Sequence, residues 1–151
     1  MKGGIVILDN LRSAHNVGNI YRSAFSYGFS TIIHVGVTPL RDNPNFISSS
    51  RGCEEHIKTI TYEEITQALE YASSENLLIY SLELHKNAVN LGSMQYEGKF
   101  AVILGNEALG VSQSALEKSH KIISIETSGA KDSLNVAVAF GIFAYTMFLK
   151  N

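Results

Sequence analysis

The sequence is poor in cysteine and has no long hydrophobic segment. Its 151 residues include one cysteine, Cys53, so an internal disulfide and a cysteine-rich zinc site are both excluded. The longest uncharged stretch, 133–149, is interrupted by polar residues and falls short of the roughly 20 apolar residues that span a bilayer. The first apolar run is too short for a signal peptide. We therefore expect a cytoplasmic protein with neither a membrane partner nor a metal site.

The chain also lacks an excess of positive charge. Twelve Lys and Arg residues stand against fourteen Asp and Glu residues, which gives a net charge of −2. A protein that holds nucleic acid by bulk charge alone is usually strongly basic, so that class is disfavoured. The arginines are nevertheless all in the first third of the chain, where they can form a local cationic face. They are Arg12, Arg22, Arg41 and Arg51.

Short apolar runs alternate with helical patterns along the chain, whose length fits one domain over 1–151. The predicted strands are 4–8, 30–35, 77–82, 100–104 and 121–125, with a weaker candidate at 56–60. Four helices are predicted. The first buries a stripe formed by Val17, Ile20, Tyr21, Ala24 and Phe25, and the second opens with a capping box at 61–64. A short third helix begins near Ser112, and the last helix is the apolar segment 133–149. This alternation predicts an α/β fold with a mostly parallel sheet and helices on both faces.

Three loops that follow predicted strands are rich in Gly, Asn and Ser. They are 9–19, 105–112 and 126–135. In α/β sheets, ligands bind outside the carboxyl ends of the strands, so these loops are the candidate site.

Several common sites are excluded by what these loops contain. Gly105 and Gly110 have the spacing of a phosphate-binding loop, but Val111-Ser112 stands where that loop needs Lys-Ser/Thr. No Gly-x-Gly-x-x-Gly follows the first strand, and the chain has no Gly-x-Ser-x-Gly nucleophile elbow. The segment 53–56 has too few ligands for a metal and is interpreted as an exposed acidic turn.

Three segments together resemble the signature motifs of the SpoU-type (TrmH-like) RNA ribose 2′-O-methyltransferases of the SPOUT superfamily. The first is Asn16-Val-Gly-Asn-Ile-Tyr-Arg22, and the second is Ile103-Leu-Gly-Asn-Glu-Ala-Leu-Gly110. The third is Ile125, followed by Ser133-Leu-Asn-Val-Ala-Val-Ala139. Their order and their positions at strand ends make the joint match specific, and it covers essentially the whole chain.

The resemblance implies a fold, a cofactor, partners and site residues. It implies that S-adenosylmethionine (AdoMet) is bound in a deep C-terminal trefoil knot, that the enzyme is a homodimer, and that the substrate is tRNA or rRNA. The implied cofactor-binding residues are Leu82, Leu104, Gly105, Asn106, Gly110, Ile125, Ser133 and Leu134. The implied catalytic residues are Asn16, Arg22, Glu107, Ser133 and Asn135, with Glu107 orienting loop backbone or Arg22. Independently of the resemblance, the four arginines named above are the predicted RNA contacts, because guanidinium forks suit phosphate oxygens and Arg12, Arg41 and Arg51 lie in predicted loops near the candidate site.

The third segment departs from the family pattern. The family usually has Ile-Pro-Met there, whereas Glu126 and Thr127 follow Ile125 in this chain. This change leaves an alternative open, a non-catalytic RNA-binding homologue that has lost its affinity for AdoMet. A small nucleotide-binding α/β protein of unrelated function is a third interpretation. The last helix has more apolar faces than one sheet surface covers, which independently favours a dimer.

Overall fold

The computed structural model describes residues 4–95, 98–129 and 133–150. Its strands are β1 (Ile5–Asp9), β2 (Thr31–Val35), β3 (Lys58–Tyr62), β4 (Leu78–Leu82), β5 (Val89–Asn90), β6 (Phe100–Gly105) and β7 (Lys121–Ser124). Its helices are α1 (Ala14–Ser26), α2 (Pro44–Ser50), α3 (Ile65–Ser74), α4 (Gln113–Lys118) and α5 (Val136–Leu149), with a 3-10 turn at Cys53–Glu55.

The strands form one sheet in the order β3-β2-β1-β6-β4-β7-β5, and every strand pair in it is parallel. The predicted parallel α/β fold is confirmed. In the centre of the sheet, Asp9 at the end of β1 lies opposite Gly105 at the end of β6. Leu104 of β6 in turn lies opposite Leu82 at the end of β4. Three strands therefore end side by side, and the loops that follow them share one edge of the sheet.

Helices cover both faces of the sheet, as the pattern predicted. On one face α1 and α5 bury a cluster that includes Ile20, Phe140 and Phe143, all fully buried. On the other face α3 and α4 bury a second cluster that includes Ala68 and Ala115. Strands covered on both faces have nearly continuous apolar sequences, which explains the uninterrupted apolar runs. In the described ranges, no helix combines the length and apolarity needed to cross a membrane.

The structure corrects three local predictions. The capping box belongs to Glu64 and Gln67, because β3 extends to Tyr62 and so takes Thr61 into the sheet. Phe25, predicted to be buried, is 48% exposed. In the segment 53–56, predicted to be an exposed acidic turn, Glu55 and His56 are exposed, but Glu54 is buried and only 5% exposed. The short elements α2 and β5 were not predicted, since neither is long enough to show a period.

Candidate active site

The loop after β6 is held in shape by its own side chains. The side-chain oxygen of Asn106 accepts hydrogen bonds from the backbone N–H groups of Ala108 and Leu109, each at 2.9 Å. The side-chain nitrogen of Asn106 donates to the backbone carbonyl of Asn10, 2.8 Å away, and so joins this loop to the one after β1. A Cβ at Gly105 would overlap the backbone of Gly110 and Val111. The glycine is therefore required by the close approach of the chain to itself.

Glu107 binds the start of α1. Its carboxylate accepts hydrogen bonds from the backbone N–H groups of Arg12 (2.9 Å) and Ser13 (3.0 Å) and from the side-chain amide of Asn16 (3.2 Å). Burial raises the pKa of Glu107, but these donors outweigh burial and leave the pKa below its usual value. An ionised carboxylate at a helix N-terminus is also favoured by the helix dipole. Glu107 thus holds the backbone at the start of α1, and within the described residues no hydrogen bond joins it to Arg22.

Asn16 connects this carboxylate to the third motif. Its side-chain oxygen accepts a hydrogen bond from the side-chain amide of Asn135, 3.0 Å away. The side-chain oxygen of Asn135 in turn accepts from the backbone N–H groups of Ala137 (2.9 Å) and Val138 (3.2 Å) and so caps α5. This cap explains why the last helix begins at Val136 and not at Ser133. One asparagine therefore brings the three sequence motifs together.

A cavity of about 870 Å³ lies beside this junction, at the carboxyl edge of the sheet. All eight residues that the resemblance implied for the cofactor line it: Leu82, Leu104, Gly105, Asn106, Gly110, Ile125, Ser133 and Leu134. Glu107 and Asn135 line it as well, whereas Asn16 and Arg22 do not. Residues 130–132, within the third predicted loop, lie outside the described residues.

The sequence interpretation missed one wall of this cavity. Glu83, Leu84 and His85 follow β4 and line the cavity beside Leu82. The Glu83 carboxylate accepts hydrogen bonds from the backbone N–H groups of Val111 and Leu84, both at 2.9 Å. A Cβ at Gly110, whose φ is +73°, would overlap that carboxylate. Residues 83–85 directly follow the predicted strand 77–82. In a parallel sheet the segments after the strands lie at the carboxyl edge, so this position in the sequence could have indicated the wall.

The four candidate RNA-binding arginines are all exposed, and they lie in different places. Arg12 lies beside the cavity, because its backbone N–H binds Glu107. Arg22 lies on α1 and is not brought to the cavity lining. Arg41 and Arg51 lie in the connection between β2 and β3, where the Arg41 guanidinium donates a hydrogen bond to the carbonyl of Glu54. Proximity to the cavity therefore singles out Arg12.

A buried polar cluster stands behind α1. Tyr21 Oη lies 2.8 Å from His34 Nε2 and 2.7 Å from Thr59 Oγ1, and both rings are at most 1% exposed. Burial, reinforced by the charge of Arg41, lowers the pKa of His34 to about 4, so the imidazole is neutral at pH 7. Burial likewise raises the pKa of Tyr21 to about 12. This cluster joins α1 to the sheet and gives His34 a structural role.

The motif glycine Gly18 has a packing role. A Cβ at this position would overlap the Ser49 hydroxyl and the backbone of Phe46 and Ser50, so the glycine lets α2 lie directly against α1. Over the described part of the chain, no group of three or more His, Cys, Asp or Glu side chains could hold a metal ion.

Comparison with known proteins agrees with the fold and the motifs. The family model of the SpoU rRNA Methylase family matches residues 4–145. An uncharacterized tRNA/rRNA methyltransferase of Borreliella burgdorferi is 30% identical over 141 residues, covering 93% of this chain and 61% of that protein. The 23S rRNA (guanosine-2′-O-)-methyltransferase RlmB of Xylella fastidiosa is 28% identical over 138 residues, covering 91% of this chain and 55% of that protein.

Solved structures match over nearly the same length. The rRNA methyltransferase of Sinorhizobium meliloti, solved with AdoMet bound, is 26% identical with a TM-score of 0.86, covering 95% of this chain and 55% of that one. The chain spans about three-fifths of the length of the curated relatives that it matches. The match over residues 4–145 takes in all three motifs and every strand of the sheet. The chain therefore belongs to the SpoU rRNA methylase family.

Proposed function

We propose that this chain is an AdoMet-dependent RNA methyltransferase that acts on a ribose 2′-hydroxyl of tRNA or rRNA, with 1–151 forming one catalytic domain. The observation that carries the proposal is the Asn16 side chain, which binds Glu107 and Asn135 at the edge of the 870 Å³ cavity. The specificity for the 2′-hydroxyl is supported by the motif resemblance and by the activity named for the Xylella relative.

The cavity fits AdoMet in size and chemistry. Its volume lies within the range of 300–1,000 Å³ that is typical of small-molecule sites. Leu82, Leu104 and Leu134 line the cavity and would supply apolar surface for the adenine, and Gly105 and Ile125 would offer it strand-end backbone groups. The Sinorhizobium relative, solved with AdoMet, supports the same cofactor here. When bound, AdoMet supplies the electrophilic methyl group.

The placement of Glu126 favours the enzyme over the non-catalytic alternative. Ile125 and Thr127 line the cavity, but Glu126 between them does not. Its carboxylate instead accepts a hydrogen bond from the Asn90 side-chain amide, 2.7 Å away, and lines a neighbouring cavity. The substitution for the usual proline therefore leaves the proposed cofactor cavity without an added charge.

The chain's own residues have separable roles in this proposal. Glu107, Asn16 and Asn135 hold the three loops in register, which preorganises the site before RNA binds. A guanidinium keeps its positive charge in proteins, so Arg22 cannot serve as a simple base. Arg22 instead clamps a phosphate and stabilises the developing alkoxide, or takes up the hydroxyl proton while it gives one of its own N–H protons to that phosphate.

We also propose the dimer and the C-terminal knot. The dimer would explain a stripe of exposed apolar side chains along α5. Val138 is 52% exposed, Ile142 39%, Tyr145 49% and Leu149 64%. These positions recur every three or four residues, so they share one helix face, and a second copy of the chain would cover it. The knot is supported by the resemblance and would bring the 126–135 loop to the cavity.

The experiment is a transfer assay with labelled AdoMet. tRNA and rRNA are purified separately from cells that lack the gene and are incubated with the protein and [methyl-³H]AdoMet. The RNA is then digested to nucleosides and separated by chromatography. We expect label in a 2′-O-methylnucleoside from one of the two pools. Label in a base-methylated nucleoside would contradict the ribose assignment, and no transfer from AdoMet that is shown to bind would contradict the activity.

A further inference from the structure

Leu109 is the most exposed large apolar side chain in the described part of the chain, with 87% of its surface accessible. It lies at the tip of the loop after β6 and lines the mouth of the proposed cofactor cavity. Single exposed leucines are ordinary on protein surfaces. The position and rigidity of this one distinguish it from the others.

The loop that carries Leu109 is fixed on all sides. The backbone N–H of Leu109 itself binds the Asn106 side chain, and Asn106 and Gly110 exchange two backbone hydrogen bonds at 3.1 and 2.8 Å. Glu107, two residues before Leu109, is bound to the start of α1. The loop therefore cannot easily fold its tip inward, and the structure keeps an apolar side chain in water at the edge of the site.

We infer that Leu109 is an RNA-binding residue that packs against a nucleobase of the RNA substrate, next to the ribose that is methylated. This inference rests on the proposed function. RNA recognition outside duplexes relies on unstacked bases whose flat apolar faces contact protein side chains. Leu109 offers such a contact where the target nucleotide must enter to reach the cavity.

The surroundings favour RNA over a second copy of the chain as the partner of Leu109. Leu109 is not part of the α5 stripe, which begins at Val138 and is formed by a different element. Instead the same loop binds the backbone of Arg12, an exposed cation suited to a phosphate. An apolar base contact next to a phosphate contact is the usual arrangement at nucleic-acid interfaces, in which phosphate contacts position and base contacts specify.

The test compares Leu109→Ala with Leu109→Met, which restores a long apolar side chain. Val89→Ala is the matched control, because Val89 is also exposed, at 41%, but lies on β5 and lines neither cavity. The probe is end-labelled tRNA and rRNA from cells that lack the gene, and affinity is measured by filter binding. AdoMet affinity is measured by calorimetry and the oligomeric state by sedimentation.

We expect Leu109→Ala to weaken RNA binding and to raise the KM for RNA about fivefold, since the loss of a few buried aliphatic carbons changes affinity by about that order. Leu109→Met and Val89→Ala should match the wild type, and AdoMet affinity and dimer mass should not change. Wild-type RNA affinity in Leu109→Ala would overturn the inference. So would an effect confined to AdoMet binding or to dimer mass, or a wild-type protein that binds neither RNA pool.

The experiment distinguishes failure of the Leu109 inference from failure of the proposed function. If the wild type binds RNA without transferring methyl groups, the proposed function fails, but filter binding still decides the role of Leu109. If the wild type methylates RNA and Leu109→Ala does so with an unchanged KM, the function stands and the role of Leu109 is refuted.

Discussion

The side chains of Asn16 and Asn135 lie 3.0 Å apart, although 119 residues separate them in the chain. Asn16 is in the first turn of α1, and Asn135 caps the start of α5. The same Asn16 amide donates to Glu107 on the loop after β6. The contact thus ties two helix starts and one strand end into a single site, and it is the basis of the first prediction.

We expect Asn16→Ala to lower kcat about tenfold or more, because the loss of both bonds frees the loops that must align the reactants. Asn16→Asp should lower kcat further. The side-chain amide of Asn16 lies 3.2 Å from the Glu107 carboxylate, and the substitution replaces this donor with a second carboxylate. Asn45→Ala, with an exposed side chain on α2, is the control. Single-turnover kinetics measure the effect, and equal rates for Asn16→Asp and the wild type would refute it.

Arg22 should act mainly in the transition state. Arg22→Ala is expected to lower kcat by roughly 10²-fold or more, in line with the loss of one electrostatic stabiliser. AdoMet affinity should be nearly unchanged, since Arg22 does not line the cavity. Arg22→Lys should not restore activity, because an ammonium cannot reproduce the planar fork of a guanidinium.

The control for Arg22 is Lys58→Ala, which also removes one exposed positive charge but lies on β3. Kinetics with the RNA pool that the wild type methylates provide the measurement. A folded Arg22→Ala protein that binds AdoMet and retains its kcat would remove Arg22 from the mechanism.

His34 makes stability depend on pH. Its pKa is lowered from 6.5 to about 4 in the folded state, so the unfolded chain binds more protons between these values. Stability from this group is therefore fully present above about pH 6.5 and is lost as the pH falls towards 4. A full shift of this size corresponds to about 3 kcal/mol.

Urea unfolding at several pH values measures this dependence. We expect the free energy of unfolding to fall between pH 6.5 and 4 in the wild type and in His15→Gln, whose side chain is exposed. In His34→Gln the free energy of unfolding should fall less over this pH range, and the difference should be most of the roughly 3 kcal/mol attributed to His34. An identical pH slope in His34→Gln and the wild type would show that another group is responsible.

The α5 stripe should hold two chains together. We expect the wild type to sediment as a dimer at micromolar concentration. Val138→Lys combined with Ile142→Lys should give a monomer, because two charges would have to be buried at the interface. Val37→Lys is the control, since Val37 is 66% exposed and lies outside the stripe. A monomeric wild type would contradict the dimer.

The sequence was sufficient to predict the central strands of the sheet, because strands buried on both faces leave apolar runs that need no tertiary context. It was less informative about short elements such as α2, whose seven residues owe their place to Gly18 and the packing against α1. The helix stripe was also misjudged at Phe25. That side chain stacks on His56 at 5.0 Å between ring centres, and no periodicity in the sequence encodes such a contact.

The residues of the candidate site were likewise predicted only in part. Its motif residues were found from the resemblance, and the structure places all the implied cofactor residues around one cavity. Glu83 and His85 were missed because their role depends on the pairing of β4 with β6, which joins segments distant in the chain. The mutual contacts of Glu107, Asn16 and Asn135 were missed for the same reason, since none of the three is near another in the sequence.

The most direct test of the account is a calorimetric titration of the wild-type protein with AdoMet, alongside Leu134→Arg, which places a long charged side chain in the cavity lining. We expect one site per chain in the wild type and a loss of binding of at least tenfold in the variant. A folded wild-type protein that shows no binding at millimolar AdoMet would contradict the account, as would undiminished binding in Leu134→Arg.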